Sequence, residues 1–383
     1  MRLGATADAV PVTPGQKLWQ VSWSFVILLC FTAAIGFTVL YSAAGGSWDP
    51  WASRQLMRFG FGLVVMLTVA VIDIRFWLRY AYAIYALALS LLIAVELIGI
   101  MGMGAQRWLS LGVVQLQPSE LMKIALILAL ARYFHGASFE EIGRPTALIP
   151  PLVVVAAPVV LVVRQPDLGT AIMLMLAGGI IFFLAGVRAW KFAVVIVGGL
   201  AALPVVWSML HAYQQRRVLT FLDPESDPLG GGYHILQSKI ALGSGAIFGK
   251  GFMNGTQSGL NFVPEKQTDF IFAMLAEEFG LVGGLVLLAF YVLIIIFGFV
   301  ISLRVRNQFG RLVGLGVTGT FFLYVFINVA MVMGLLPVVG VPLPLISYGG
   351  TAMLSVMVGF GFLLSAFVHR DLRISRHGTS EPE

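Results

Sequence analysis

Asp269 lies in KQTDFIFAMLAEEFG, at the point where a long polar segment gives way to an apolar one. A carboxylate fixed at such a boundary can take the proton of a substrate hydroxyl, the task of a general base. A plainer reading competes: an acid in the first turn of a helix complements the helix dipole, with Thr268 before it as the N-cap. The dipole would lower its pKa, and burial against Phe270 and Phe272 would act in the opposite sense. Two cations are the candidates for meeting an anionic substrate. Arg107 either does so or anchors an interface beside Trp108. Lys123, in the apolar run KIALILALA, faces a cavity or pairs with Glu120, three residues earlier on the same helical face. Asp167 in RQPDLGT is a helix cap, a partner for Arg164 or a catalytic carboxylate. Glu265 contacts substrate or pairs with Lys266. Glu277 follows Asp269 by two helical turns, about 12 Å along the axis. It is therefore too far to share a catalytic proton, and is expected to order a buried polar network. Arg216 and Arg217 read as a solvated surface, with phosphate contact as the alternative.

The elements that must hold these residues are membrane spans. Of 383 residues, 59% are hydrophobic and 11% charged, against about a quarter charged in soluble domains. The mean hydropathy is +0.93. These values exclude an ordinary soluble protein. With charges as fences, the apolar runs give ten spans: 21–41, 59–72, 80–101, 119–134, 147–163, 168–186, 192–210, 270–301, 312–335 and 351–368. The expected fold is an all-α polytopic membrane protein, a single ten-helix domain over 21–368. A segment 1–20 precedes it, a tail 369–383 follows it, and a long loop 211–268 separates spans seven and eight. Residues 1–20 lack the form of a cleaved signal peptide, so the first span reads as a retained anchor. The single Cys30 and five scattered histidines build neither a disulfide framework nor a paired metal site.

Ten spans put both termini on one side, and the basic residues choose the side. With the N-terminus inside, 14 of the 24 Lys and Arg fall on inner segments. Only Arg54, Arg58, Arg107 and Arg164 fall in short outer loops. The bias makes both termini cytoplasmic. It also reads the net charge of +6 as topology and not as a nucleic-acid footprint. The segments 102–118, 164–170, 211–268 and 335–350 then all face outward. The glycines of 230–255 do not follow P-loop spacing, and predict a flexible loop that grips substrate. The Pro and Gly string at 337–350 predicts a tightly folded outer segment, tolerable where it packs in protein or lines a cavity.

GAQRWLSLG, QPSELMKIALILALARY, QPDLGTA, GKGFMNGTQSGLNFVPEKQTDFIFAMLAEEFG and GVPLPLISYGGT together resemble the shape, elongation, division and sporulation family of peptidoglycan polymerases. They occur in the family's order over nearly the whole chain. GTQS and VPLPLISYGGT are similar to its elongation branch. Gln267 departs from the pattern, since the family commonly has histidine there, and that histidine's role is not carried over. The resemblance implies polymerisation of lipid II, an undecaprenyl pyrophosphate disaccharide-pentapeptide, at the outer face of the bacterial cytoplasmic membrane. In that reaction the acceptor 4-hydroxyl attacks the donor's anomeric carbon with inversion. It implies Asp269 as the essential residue and matches Asp167 to a family aspartate; together with Arg107, Lys123, Glu120, Glu265 and Thr268 from the reading of the residues above, Asp167 makes up the substrate-binding candidates. It also implies a partner, a class B penicillin-binding protein transpeptidase, since the chain has no serine-nucleophile domain of its own. No ligand constellation demands a divalent metal, although Asp167 or Asp269 could coordinate one. A flippase for the same lipid is the alternative; it would run a polar path past Glu96, Glu120 and Lys123.

Overall fold

The computed structural model describes residues 14–375 apart from 103–104, 111–114, 210–211, 227–230, 261, 263–264 and 373. Most of the expected N-terminal segment and C-terminal tail therefore lies outside the described residues, as do Gly230 and the side chain of Arg217. Each expected span falls on a helix. These are α1 (Trp23–Ala43), α2 (Ala52–Val71), α3 (Ile74–Ile98), α4 (Pro118–Gly136), α5 (Ile149–Arg164), α6 (Leu168–Leu184) and α7 (Ala189–Met209), followed after α8 (Ala212–Leu222) and α9 (Gly231–Ser244) by α10 (Ile271–Leu303), α11 (Gln308–Val332) and α12 (Gly350–Val368). Among the described residues, seven helices are long and apolar enough to cross a membrane, and two shorter apolar ones correspond to α6 and the first part of α7. The chain is a multi-pass membrane protein.

The core sits around α11, which is buried along nearly its whole length and packs against α4, α6, α10 and α12. Its small residues make this possible. Gly316 abuts Ile181 of α6 and Ile127 of α4, and Gly319 abuts Ile180. Without a side chain at these positions neighbouring helices approach closely, the usual basis of helix association in lipid. By contrast α7 is exposed along most of its described length.

Three regions differ from the expectation of plain helices and loops. First, 100–116 carries a small antiparallel sheet of β1 (Ile100–Gly102), β2 (Ala105–Ser110) and β3 (Gln115–Leu116), in that order. Trp108 pairs with Ile100 and Leu109 with Leu116. Strand pairing satisfies backbone groups of the residues it joins, and Pro118 starts the helix that follows. Second, the described residues within 211–268 are largely helical. There α9 buries Ile235, Ser238 and Ala241 on one stripe and packs on α10. Third, α10 is broken at Gly280 (φ +68°).

The break accounts for the glycine string. Glu277 O and Glu278 O accept from Lys250 N and Gly251 N, both at 3.0 Å, and Leu281 N and Val282 N donate to Ala246 O and Ile247 O at 2.9 and 3.1 Å. The 246–251 segment thus supplies the backbone partners that the interrupted helix lacks. A Cβ at Gly245 would collide with Ala276 O, and one at Gly249 (φ +79°) with Glu278 O. These glycines serve close backbone approach and not mobility. Before the break, Ile271–Glu278 are buried on every side. After it, residues 281–303 alternate buried and exposed, and at 1.5 Å per residue they span roughly 34 Å, enough for a hydrocarbon core.

Candidate functional site

Asp269 sits in the turn 265–270 that leads into α10. The N-cap of α10 is Phe270, and no acidic residue lies in its first turn. The dipole reading of Asp269 therefore fails, and so does the expected capping by Thr268. The Thr268 hydroxyl instead donates to Glu265, at 3.2 Å to its carbonyl and 3.0 Å to Oε2. Gln267 Nε2 donates to the same carboxylate oxygen at 3.3 Å. Glu265 is thus bound to its own turn, and holds a left-handed φ of +50°.

The turn is fixed from outside by the 337–350 segment. Ser347 Oγ donates to Thr268 O at 2.6 Å and accepts from Leu343 N at 2.8 Å. Tyr348 N donates to Gln267 O at 2.8 Å. Asn328, fully buried in α11, donates one amide to both Asp269 O (2.9 Å) and Val341 O (2.7 Å). Gln55 Nε2 and Tyr291 OH satisfy Ser347 O and Pro344 O, each at 2.7 Å. Irregular backbone in a membrane protein needs such partners, so the Pro and Gly string is packed in protein. It also covers the carboxylate: a Cβ at Gly340 would lie 3.6 Å from Asp269 Oδ2.

Burial raises the Asp269 pKa to about 6, helped by the negative charge of Glu265 and opposed by the positive charge of Arg107. Desolvation therefore outweighs the nearby cation. A carboxylate at about 6 is ionised at neutral pH and is a stronger base than an ordinary aspartate. His234 of α9 stacks on Phe270, with ring centroids 6.0 Å apart and an interplanar angle of 18°. Burial lowers its pKa and Glu265 acts against that.

Arg107 projects from β2 to the start of α6. Its Nε is 3.3 Å from Asp167 Oδ2 and it donates to Pro166 O at 3.2 Å. Asp167 also caps α6, accepting from Thr170 N at 3.2 Å and Thr170 Oγ1 at 2.9 Å. Its cation is Arg107 and not Arg164, which pairs with Glu96 at 3.4 Å. Gly169, in the first turn of α6, abuts Val339 O. Asp269, Glu265, Arg107 and Asp167 are thereby brought together by a turn, a strand, a helix start and the covering segment.

Glu120 and Lys123 form a separate buried group. Lys123 Nζ is 2.7 Å from Glu120 Oε1 and 4.4 Å from the Tyr324 ring centroid, and Tyr324 OH donates to Glu120 Oε2 at 2.5 Å. Glu277, fully buried, orders the network expected of it: it accepts from Lys250 Nζ (2.7 Å), Gln257 N (2.8 Å) and Thr256 Oγ1 (3.3 Å). Arg216 is exposed on α8. Among the described residues no three of His, Cys, Asp and Glu converge as a metal site. Sequence reasoning missed Asn328, Ser347, Tyr324 and His234. Only Asn328 left a signal, as the sole Asn or Gln in the charge-free run 312–369.

The profile of the FtsW, RodA and SpoVE family, described as "Cell cycle protein", matches residues 22–372. The chain belongs to this family. The SEDS resemblance seen in its motifs is thus established. It is 45% identical to the peptidoglycan glycosyltransferase MrdB of Escherichia coli over 364 residues, 94% of this chain and 98% of that one. It is 32% identical to stage V sporulation protein E of Bacillus subtilis, over 89% of this chain and 95% of that protein. Among solved structures, this SEDS protein matches a chain of a peptidoglycan synthase complex in which polymerization and crosslinking are coordinated (TM-score 0.80, 32% identity, 92% and 99% covered). It also matches the rod shape determining protein RodA of Thermus thermophilus (TM-score 0.69, 28% identity, 92% and 98% covered).

Proposed function

We propose that this SEDS protein is a peptidoglycan glycosyltransferase of the RodA type, which polymerises lipid II for cell elongation with Asp269 as general base. The observation that carries the mechanism is a partly buried carboxylate with a pKa of about 6, fixed through its backbone by Asn328 and beside the Arg107–Asp167 pair. The acceptor 4-hydroxyl gives its proton to Asp269 as its oxygen bonds to the donor's anomeric carbon. The bond from that carbon to the pyrophosphate breaks with inversion, and the lipid pyrophosphate leaves. Pyrophosphate is acidic enough to depart without a strong acid, so a cation suffices to stabilise it. Arg107 fills this role, with Asp167 aiming its guanidinium and Glu265 and Thr268 shaping the turn.

On our reading the chain makes ten crossings with both termini cytoplasmic, a reading supported by the bias of its basic residues, and the site then faces outward from the cytoplasmic membrane. The partner is a class B penicillin-binding protein that cross-links the product strands. Glu120 and Lys123 close on each other and on Tyr324, a structural role below the site and not direct contact with substrate. A flippase would string such groups across the bilayer.

The test is incubation of purified protein, with its transpeptidase partner, with labelled lipid II, comparing wild type and Asp269→Asn by glycan-length analysis. Polymer from wild type and none from the folded variant is expected. Polymer from both refutes the base assignment. Translocation of lipid II in vesicles with no polymer from wild type refutes the glycosyltransferase reading.

A further inference from the structure

One face of α2 is buried through Ala52, Gln55, Phe59, Gly62, Met66 and Val69. The spacing alternates three and four residues, the pattern of a seam between two packed helices. The partner is α12: Gly62 abuts Met357, and Gly361 abuts Val69 and the Met66 carbonyl. Gln55 is the polar member of this stripe and is fully buried. An amide in an apolar seam is costly unless hydrogen-bonded, so its partners show what it does there.

The regular part of α12 begins at Gly350, so the outer end of the seam meets the irregular residues 347–349. Gln55 Nε2 donates to Ser347 O at 2.7 Å, and Gln55 Oε1 accepts from Gly349 N at 3.5 Å. One side chain thus engages the C=O of one residue and the N–H of the second after it, as the edge of a neighbouring strand would. The C=O of Ser347 and the N–H of Tyr348 belong to one peptide group and point in opposite directions. Gln55 holds the first, and the second donates to Gln267 O, in the turn of Asp269, at 2.8 Å. Ser347 Oγ holds the next residue of that turn, donating to Thr268 O at 2.6 Å. Arg58, on the following turn of α2, adds a cation–π contact, its guanidinium carbon 4.6 Å from the centroid of the Tyr348 ring. A single peptide group therefore joins α2 to the turn that carries the base.

We propose that Gln55 is a positioning residue for Asp269: it orients the Ser347–Tyr348 peptide group, and through it the 265–270 turn, against α2, with Arg58 steadying the Tyr348 ring. The inference rests on Asp269 being the base. Gln55 is fully buried and acts only through the segment it grips. Without its amide the Ser347 carbonyl loses a partner, and the irregular 347–349 segment shifts. Asp269 feels this in two ways. Its place relative to the acceptor hydroxyl changes, and small displacements of a reacting group are costly in rate. Its cover against water loosens as well, which weakens the desolvation that raises its pKa.

The test uses the purified full-length protein with its transpeptidase partner and labelled lipid II, at a temperature well below every Tm. Gln55→Met keeps the side-chain volume and removes both hydrogen bonds. Met66→Ala, about three turns further along the same seam, is the control for lost stability alone. Both lower Tm. Gln55→Met is expected to lower kcat about tenfold with KM within about twofold. It is also expected to move the acid limb of kcat/KM about half a pH unit or more to lower pH, while Glu265 and Arg107, the charges that face Asp269, stay in place. Met66→Ala is expected to keep the wild-type kcat and limb. Arg58→Leu, which leaves the buried seam intact, should show the same two effects with a loss of about threefold in kcat, and Arg58→Lys, which keeps a cation over the ring, should restore wild-type values. A Gln55→Met enzyme that loses only Tm, with wild-type kcat and limb, overturns the proposal. So does one whose KM rises while kcat and limb hold. If Gln55→Met does not fold, the Arg58 variants decide, and Arg58→Leu with wild-type kcat and limb overturns it. Polymer from Asp269→Asn is the separate sign that the base assignment itself has failed, and this inference with it.

Discussion

The raised pKa of Asp269 makes the acid limb of the pH profile the most exacting test of the site. Glu265 and Arg107 act on this carboxylate in opposite directions, so Glu265→Gln and Arg107→Gln should displace the limb in opposite directions. The profile of kcat/KM reports the free enzyme, which is the state described here. With a pKa of about 6, the ionised fraction falls from about nine-tenths at pH 7 to about one-tenth at pH 5, a loss of roughly tenfold in rate. An aspartate at the ordinary value would lose under about a tenth over the same range. Removing the Glu265 charge takes away a neighbour that disfavours the anion, so the limb moves to lower pH. Removing the Arg107 charge takes away a neighbour that favours it, so the limb moves to higher pH, in addition to any loss in the pH-independent rate. The assay is the initial rate of glycan formation from labelled lipid II at subsaturating substrate, across pH 4.5 to 8. A wild-type limb near pH 4, or two variants shifted in the same direction, would refute the claim that desolvation and these two charges set the basicity of Asp269.

Three further outcomes follow from the same geometry. Asp269→Asn should stabilise the protein at neutral pH. The folded pKa of about 6 lies above the ordinary 3.8, so the folded state binds the proton more tightly and the anion is destabilising. The cost is present in full above about pH 6 and absent below about pH 4, amounting at pH 7 to up to about 3 kcal/mol. A rise in Tm at pH 7.5 that vanishes by pH 4 checks it. Lys250→Ala should destabilise by about 3 kcal/mol, because it takes the Lys250 ammonium away from the fully buried Glu277 carboxylate; adding Glu277→Gln should recover part of the loss in thermal unfolding. Gly249→Ala should cost about 3 kcal/mol or more, through its positive φ and its collision with Glu278 O, whereas Gly243→Ala, with open space around it, should leave Tm within about 1 °C of wild type.

The sequence by itself determined the membrane class and where the apolar helices lie along the chain, because burying apolar length in lipid is a local property of composition and needs no knowledge of neighbours. It also singled out Asp269, Arg107, Asp167, Glu120 and Lys123, since charge is scarce enough here that each charged residue near an apolar run stands out. The Glu120–Lys123 pair was legible for the same local reason, being one helical turn apart. What only the tertiary structure decided are relations between distant segments. Arg107 pairs with Asp167 and not with a residue near it in sequence, because β2 lies against the start of α6. Asn328, 59 positions from Asp269, holds its carbonyl. The glycines of 245–251, read from sequence as freedom, are instead the small surface that lets a strand of backbone enter a broken helix at Gly280. The basicity of Asp269 belongs to the same class: a pKa measures desolvation and the sum of surrounding charges, and those neighbours are assembled by the fold.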